Sequence, residues 1–212
     1  MIDSPRFYYV GVAFLRGSPT SWRDSLIMRS TAGPFVHSEF FLQAGAESRF
    51  YTSVDVPRDS FPCAVMPTGR RLPLSGEWET VRYPVTRSGY CAAYALLLQV
   101  MSLPIPYNSR DLWQCAIKLM LPYERDLDFA RPASWTRSGV FCSQLCLLLL
   151  RRLVVMGCVP LPAPCASPLL GRNSRGCSPN DLYRLLDAPE KKEGRNTACP
   201  ILRVSSPHPE KR

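Results

Sequence analysis

The sequence predicts an α+β fold in which a small antiparallel sheet or half-barrel packs against helices, and three observations lead there. Runs of aromatic and β-branched residues crowd the first third of the chain, among them "FYYVGVAFL", "FVHSEFFL" and "RFYTSVDV". Helix-period apolar patterns come later, over 90–101, 109–121 and 140–156. The chain has 212 residues and 46% hydrophobic content, enough to bury one sizeable core. We therefore expect one domain over 1–188, followed by a basic, flexible tail over 189–212.

The elements are justified in chain order. Phe7 to Leu15 reads as a buried strand closed by the turn "RGSP". In the next stretch Trp22, Leu26 and Ile27 stand at helix-like spacing, which fits a short helix or an irregular crossover. "FVHSEFFL" and "RFYTSVDV" form a hairpin around "QAGAES", a loop longer than the tightest types. Prolines 62, 67, 73 and 84 keep the following stretch extended, with Glu79 to Tyr83 as a strand. Thr86 or Ser88 then caps a helix carrying Tyr90, Ala93, Tyr94, Leu97, Leu98 and Met101 on its apolar positions. A second helix spans 109–121 with Ser109 as cap, and "YERDLDFARPASWTR" reads as a loop crossing the surface. A third helix starts near Val140 to Cys142 and ends at Gly157. The Pro-, Gly- and Ser-rich stretch 159–176 reads as a surface connection. Ser178 and Pro179 suit the N-cap and first turn of a closing helix. Ile201 to Val204 has strand character, but a tail is the expectation for that end.

Charge and cysteine usage narrow the function. The formal charge is +9, yet the basic residues are dispersed, and no recognition helix, finger or aromatic RNA-binding signature accompanies them. A solvated basic surface is expected, compatible with an anionic membrane surface and not with specific nucleic-acid binding. No secretory leader or membrane-spanning run is visible, so an intracellular chain with reduced thiols is expected for its nine cysteines. There is no Cys-x-x-Cys pair and there are only two histidines, so neither metal nor cofactor is expected.

Two of the chemistry-bearing residues stand out. Cys142, in "SGVFCSQLCLLLLRR", falls in or beside the first turn of its helix, where unpaired N–H groups and the helix dipole favour a thiolate. Cys146 lies one turn deeper and reads as core. A thiolate nucleophile needs a base, and His208 sits in the Pro-rich, charged end, which leaves His37. His37 and Glu39 share one face of their strand because side chains alternate along it.

"GPFVHSEFFL" followed much later by "GVFCSQLCLLLL" resembles the circularly permuted papain-like fold of the NlpC type, which includes YiiX-like proteins, lecithin:retinol acyltransferase relatives and viral members. The order is histidine before cysteine, the reverse of ordinary papain-like enzymes. The resemblance runs over roughly 6–187 and includes the early strand "YYVGVAFL", the helix after "YPVT" and the closing "SPNDLYRLL". It implies an intracellular cysteine hydrolase or acyltransferase with Cys142 as nucleophile and His37 as base, acting on an amide or ester bond of a protein, peptide or acyl-lipid substrate. The third member is Glu39 or, as in many relatives, a residue of the neighbouring strand, here Tyr51, Thr52 or Ser53. The competing expectation is a catalytically silent viral structural or accessory protein that keeps the fold to bind a partner.

Overall fold

The computed structural model describes residues 7–54, 64–72, 74, 76–111, 126–161, 163–187 and 202–205. It is mixed α+β, with an open antiparallel sheet and helices packed on one face. The first strand, β1 (Tyr8–Arg16), lies near the middle, between β2 (Phe35–Ala44) and β5 (Trp78–Val85). Beyond β2 come β3 (Glu47–Ser53) and β4 (Val65–Pro67), and β6 (Leu202–Ser205) closes the other edge, giving six strands in the order β4-β3-β2-β1-β5-β6.

Several strands extend further than their patterns suggest. Ala44 still pairs with Glu47, so the β2–β3 hairpin closes on Gly45 and Ala46 instead of a longer loop. Gly45 makes this possible by taking φ +59, a conformation open to glycine and costly for other residues. Pro84 lies within β5, paired with Tyr9 of β1, two residues past Arg82, where the described pairing with β6 ends. β6 itself corrects the expectation that 189–212 is wholly a tail: Leu202 to Ser205 supply main-chain groups to β5, whose outer edge would otherwise stay unpaired.

Thr86 is the cap that α2 (Arg87–Met101) uses, its hydroxyl accepting from Gly89 N–H at 3.1 Å. The stretch before the first hairpin resolves into α1 (Trp22–Thr31), capped by Ser21. Of the helix expected over 109–121 only 109–111 are described, and they are helical; Asn108, not Ser109, holds that start by accepting from Asp111 N–H at 2.9 Å.

Two segments expected as surface loops are anchored instead. Within "YERDLDFARPASWTR", a short turn leads into α3 (Trp135–Ser138), where Trp135 is fully buried and its indole N–H donates to Asp128 C=O at 2.9 Å. Within 159–176, α5 (Ala163–Gly171) forms despite Pro168. Tertiary contact outweighs the proline: Leu169 is buried, and its C=O accepts from the Arg151 guanidinium at 2.8 Å.

The main core lies between the sheet and α4 (Cys142–Val155), whose residues from Cys142 to Arg151 are all buried. Val10, Val12, Phe14, Phe40 and Leu42 meet Leu145, Leu148 and Leu149 there. A smaller cluster on the opposite face, Ala13, Phe41, Phe50 and Trp78, is roofed by Leu72 and Leu74. Two members of the supposed solvated basic surface belong inside the fold. Arg151 is buried and pairs with Asp126 at 2.8 Å, and Arg175 is buried and pairs with Asp111 at 3.2 Å. Each guanidinium brings its own carboxylate, which is what a buried charge requires. Among the described residues, no helix is long and apolar enough to cross a membrane.

Candidate active site

Cys142 is the first residue of α4, and the chain reaches it through a constrained bend. Gly139 adopts φ +74, and a Cβ there would lie 2.5 Å from the carbonyl oxygen of Pro106, so only glycine fits. Val140 N–H then donates to that same carbonyl at 3.0 Å, and Ser53 Oγ donates to Val140 C=O at 2.7 Å. Phe141 N–H donates to Gln144 Oε1 at 3.3 Å, half of a capping box, and Ser143 Oγ donates to Cys177 C=O at 2.7 Å. The turn bearing the sulfur is thus tied to the sheet, to the 105–108 segment and to the approach of α6 (Pro179–Asp187).

His37 is placed with similar care near the start of β2. Asn180, the second residue of α6, accepts from Phe35 N–H at 2.9 Å and donates to Phe35 C=O at 2.7 Å and to Thr31 Oγ1 at 2.6 Å. This buried amide fixes the strand two residues ahead of His37. Helix α6 is itself held by a capping box, Asp181 N–H donating to Ser178 Oγ at 3.1 Å and Ser178 N–H to Asp181 Oδ2 at 3.2 Å.

These elements bring together the three residues singled out in the sequence. The His37 ring hydrogen-bonds the Cys142 sulfur, and the sulfur also receives backbone N–H groups of Ser38 and Ser143. Glu39 Oε1 lies 3.5 Å from His37 Nε2, and Thr52 Oγ1 lies 3.2 Å from the same nitrogen. Glu39 and Thr52 therefore share the ring, whereas Tyr51 turns to the helix side beside Arg49 and Ser53 is spent on Val140. Trp78 meets the imidazole edge-on, with ring centroids 6.3 Å apart.

The electrostatics follow from burial and pairing. Burial pulls the His37 imidazole down, but the Cys142 thiolate and the Glu39 carboxylate outweigh it and push its pKa up to about 10. Burial pushes the Cys142 thiol up, but the His37 charge and the hydrogen bonds to the sulfur bring it below its ordinary value. Each group therefore favours the charged form of the other. Cys146, one turn along, has no such partner and burial drives its thiol well above the ordinary range, in keeping with a core residue.

Two participants escape sequence reasoning. Thr68 Oγ1 donates to Glu39 Oε2 at 3.0 Å, and Arg70 Nε donates to Glu39 Oε1 at 2.9 Å while its guanidinium lies 4.6 Å from the centre of the Trp78 ring. The only signal for them is indirect: the Glu39 side chain is 1% exposed, and a carboxylate so buried must find donors. Among the described residues, no group of three or more His, Cys, Asp or Glu is placed to hold a metal ion.

The five described thiols, Cys91, Cys142, Cys146, Cys158 and Cys177, are all free. Compared with family models, curated proteins and solved structures, the chain matches none.

Proposed function

We propose that this protein is a cysteine-dependent hydrolase or acyltransferase of permuted papain-like design, with an amide or ester bond as its target. One observation carries the reading: a thiol at a helix start lies against an imidazole that stands beside a buried carboxylate, and thiol and imidazole each favour the other's charged form. Burying an ion pair costs several kcal/mol of desolvation, roughly offset at best by the pair's attraction, so a scaffold gains little by keeping one.

In the proposed cycle the Cys142 sulfur attacks the carbonyl carbon and a C–S bond forms. The oxygen takes up negative charge where the N–H groups at the start of α4 point. His37 passes its proton to the leaving nitrogen or oxygen, the C–N or C–O bond breaks, and an acyl thioester remains on Cys142. The now neutral imidazole then takes a proton from water, or from an acceptor amine, as that nucleophile opens the thioester and restores the thiolate. Glu39 and Thr52 keep the ring turned toward the sulfur throughout.

A catalytically silent binding protein is the second reading, favoured by the burial of Cys142, 3% exposed beneath Phe141 and Tyr107. Reaction with p-nitrophenyl acetate separates the two. An enzyme releases a burst of one equivalent of p-nitrophenolate and carries an acetyl thioester on Cys142 by peptide mass spectrometry, and both disappear in His37→Ala. Slow, uniform acetylation of all the thiols, unchanged in that variant, would establish the silent protein.

A further inference from the structure

The Glu39 carboxylate has two suitors. Its Oε1 is 2.9 Å from Arg70 Nε but 3.5 Å from His37 Nε2, so it leans toward the guanidinium, and Thr68 holds the other oxygen at 3.0 Å. Its hydrogen bond to the imidazole is the longer and weaker of the two. The guanidinium also lies over the ring of Trp78, which is buried in the cluster on the face opposite the main core.

We propose that Arg70 is a positioning residue that holds the Glu39 carboxylate back from His37, keeping the imidazolium able to surrender its proton to a leaving group. This rests on the acyl-transfer reading above. A general acid whose protonated form is too strongly stabilised transfers the proton poorly, so a carboxylate at full contact would slow the step that expels the leaving group. Arg70 sets that balance by competing for the same oxygen. A lysine retains the charge while losing the planar fork.

Among the described residues, four elements present groups to the imidazole. Cys142 meets it from α4, Glu39 from its own strand, the uncharged Thr52 from β3 and the uncharged Trp78 from β5. Arg70 reaches it only through Glu39, and Cys146, held as a neutral thiol, adds no charge.

The test is the titration of the His37 ring by proton NMR in the full chain, which is tractable because His208 is the only other histidine. In Arg70→Gln the carboxylate relaxes onto the ring, and the His37 midpoint is expected to rise by about one pH unit. In Arg70→Lys it should remain closer to the wild-type midpoint than in Arg70→Gln. A midpoint in Arg70→Gln that stays put or falls would overturn the proposal, because Arg70 would then be only a surface partner of Glu39. Cys142→Ala, measured alongside, tests the underlying reading separately: a His37 midpoint that does not drop there refutes the thiolate–imidazolium pair itself, whatever Arg70 does.

Discussion

Cys142 and His37 hold each other charged, so changing either should expose what burial does to the other. In His37→Ala, burial acts alone on the Cys142 thiol and lifts it, and alkylation of Cys142 by iodoacetamide at neutral pH should slow about 100-fold, read by peptide mass spectrometry. The pair also has a signed effect on stability. His37, raised from 6.5 to about 10, contributes fully below its unfolded value, and the contribution is lost as pH rises through the folded value. Cys142, lowered from 9.0, contributes fully above its unfolded value, and the contribution is lost as pH falls through the lowered value. Just below 9.0, where both contributions change, the two slopes oppose each other. Urea unfolding of the wild type relative to Cys142→Ala/His37→Ala should therefore show an advantage that is smaller at pH 11 than at pH 9. The placement of these residues is legible in the sequence because a thiol after "SGVF" marks a helix start and only one histidine lies in a strand. Arg70 is illegible: an arginine in a turn looks the same whether it faces water or a carboxylate buried 31 residues earlier in the chain.

At the level of elements, the strand bearing His37 depends on a helix from the far end of the chain. Asn180→Leu fills similar space but strands the Phe35 N–H and C=O, two groups the amide now satisfies, while the Thr31 hydroxyl keeps its bond to the Ile27 carbonyl. Each unsatisfied buried group costs about 1–3 kcal/mol, so a loss of roughly 3 kcal/mol or more is expected by urea unfolding, together with loss of the fast alkylation of Cys142. Gly139→Ala should be comparably harmful, because the new Cβ meets the Pro106 carbonyl in a backbone conformation that already disfavours it. The helices α2, α4 and α6 are legible through caps and apolar spacing, signals that lie within one element. The short helices α3 and α5 are not, because what stabilises them is a buried indole in one case and a borrowed guanidinium contact in the other. The tight β2–β3 turn is obscured for a simpler reason: Gln43 and Ala44 look like loop residues, yet pair in register with Ser48 and Glu47.

Across the whole molecule, polar ties from distant segments seat α4 against its surroundings. Arg151 joins α4 to the carbonyl of Leu169 in α5 and to Asp126, which also accepts from Ser174 N–H at 2.9 Å and Oγ at 2.6 Å. Arg151→Met removes the charge at the centre of that junction and should cost about 3 kcal/mol in urea unfolding, whereas Arg151→Met/Asp126→Asn should recover part of it, since the second change relieves the stranded carboxylate. Sequence alone hides such ties, because a pair of adjacent arginines ordinarily means an exposed face. The arrangement of His37 in an early strand and Cys142 at the head of a late helix has a consequence for how the protein is made. If the proposed function holds, neither half of the polypeptide by itself owns an activated sulfur; a nascent or denatured chain would display only sluggish thiols, and chemical potency would switch on with tertiary closure. The speed of Cys142 alkylation is accordingly a clock for folding, and two complementary fragments, inert apart, should become reactive when mixed.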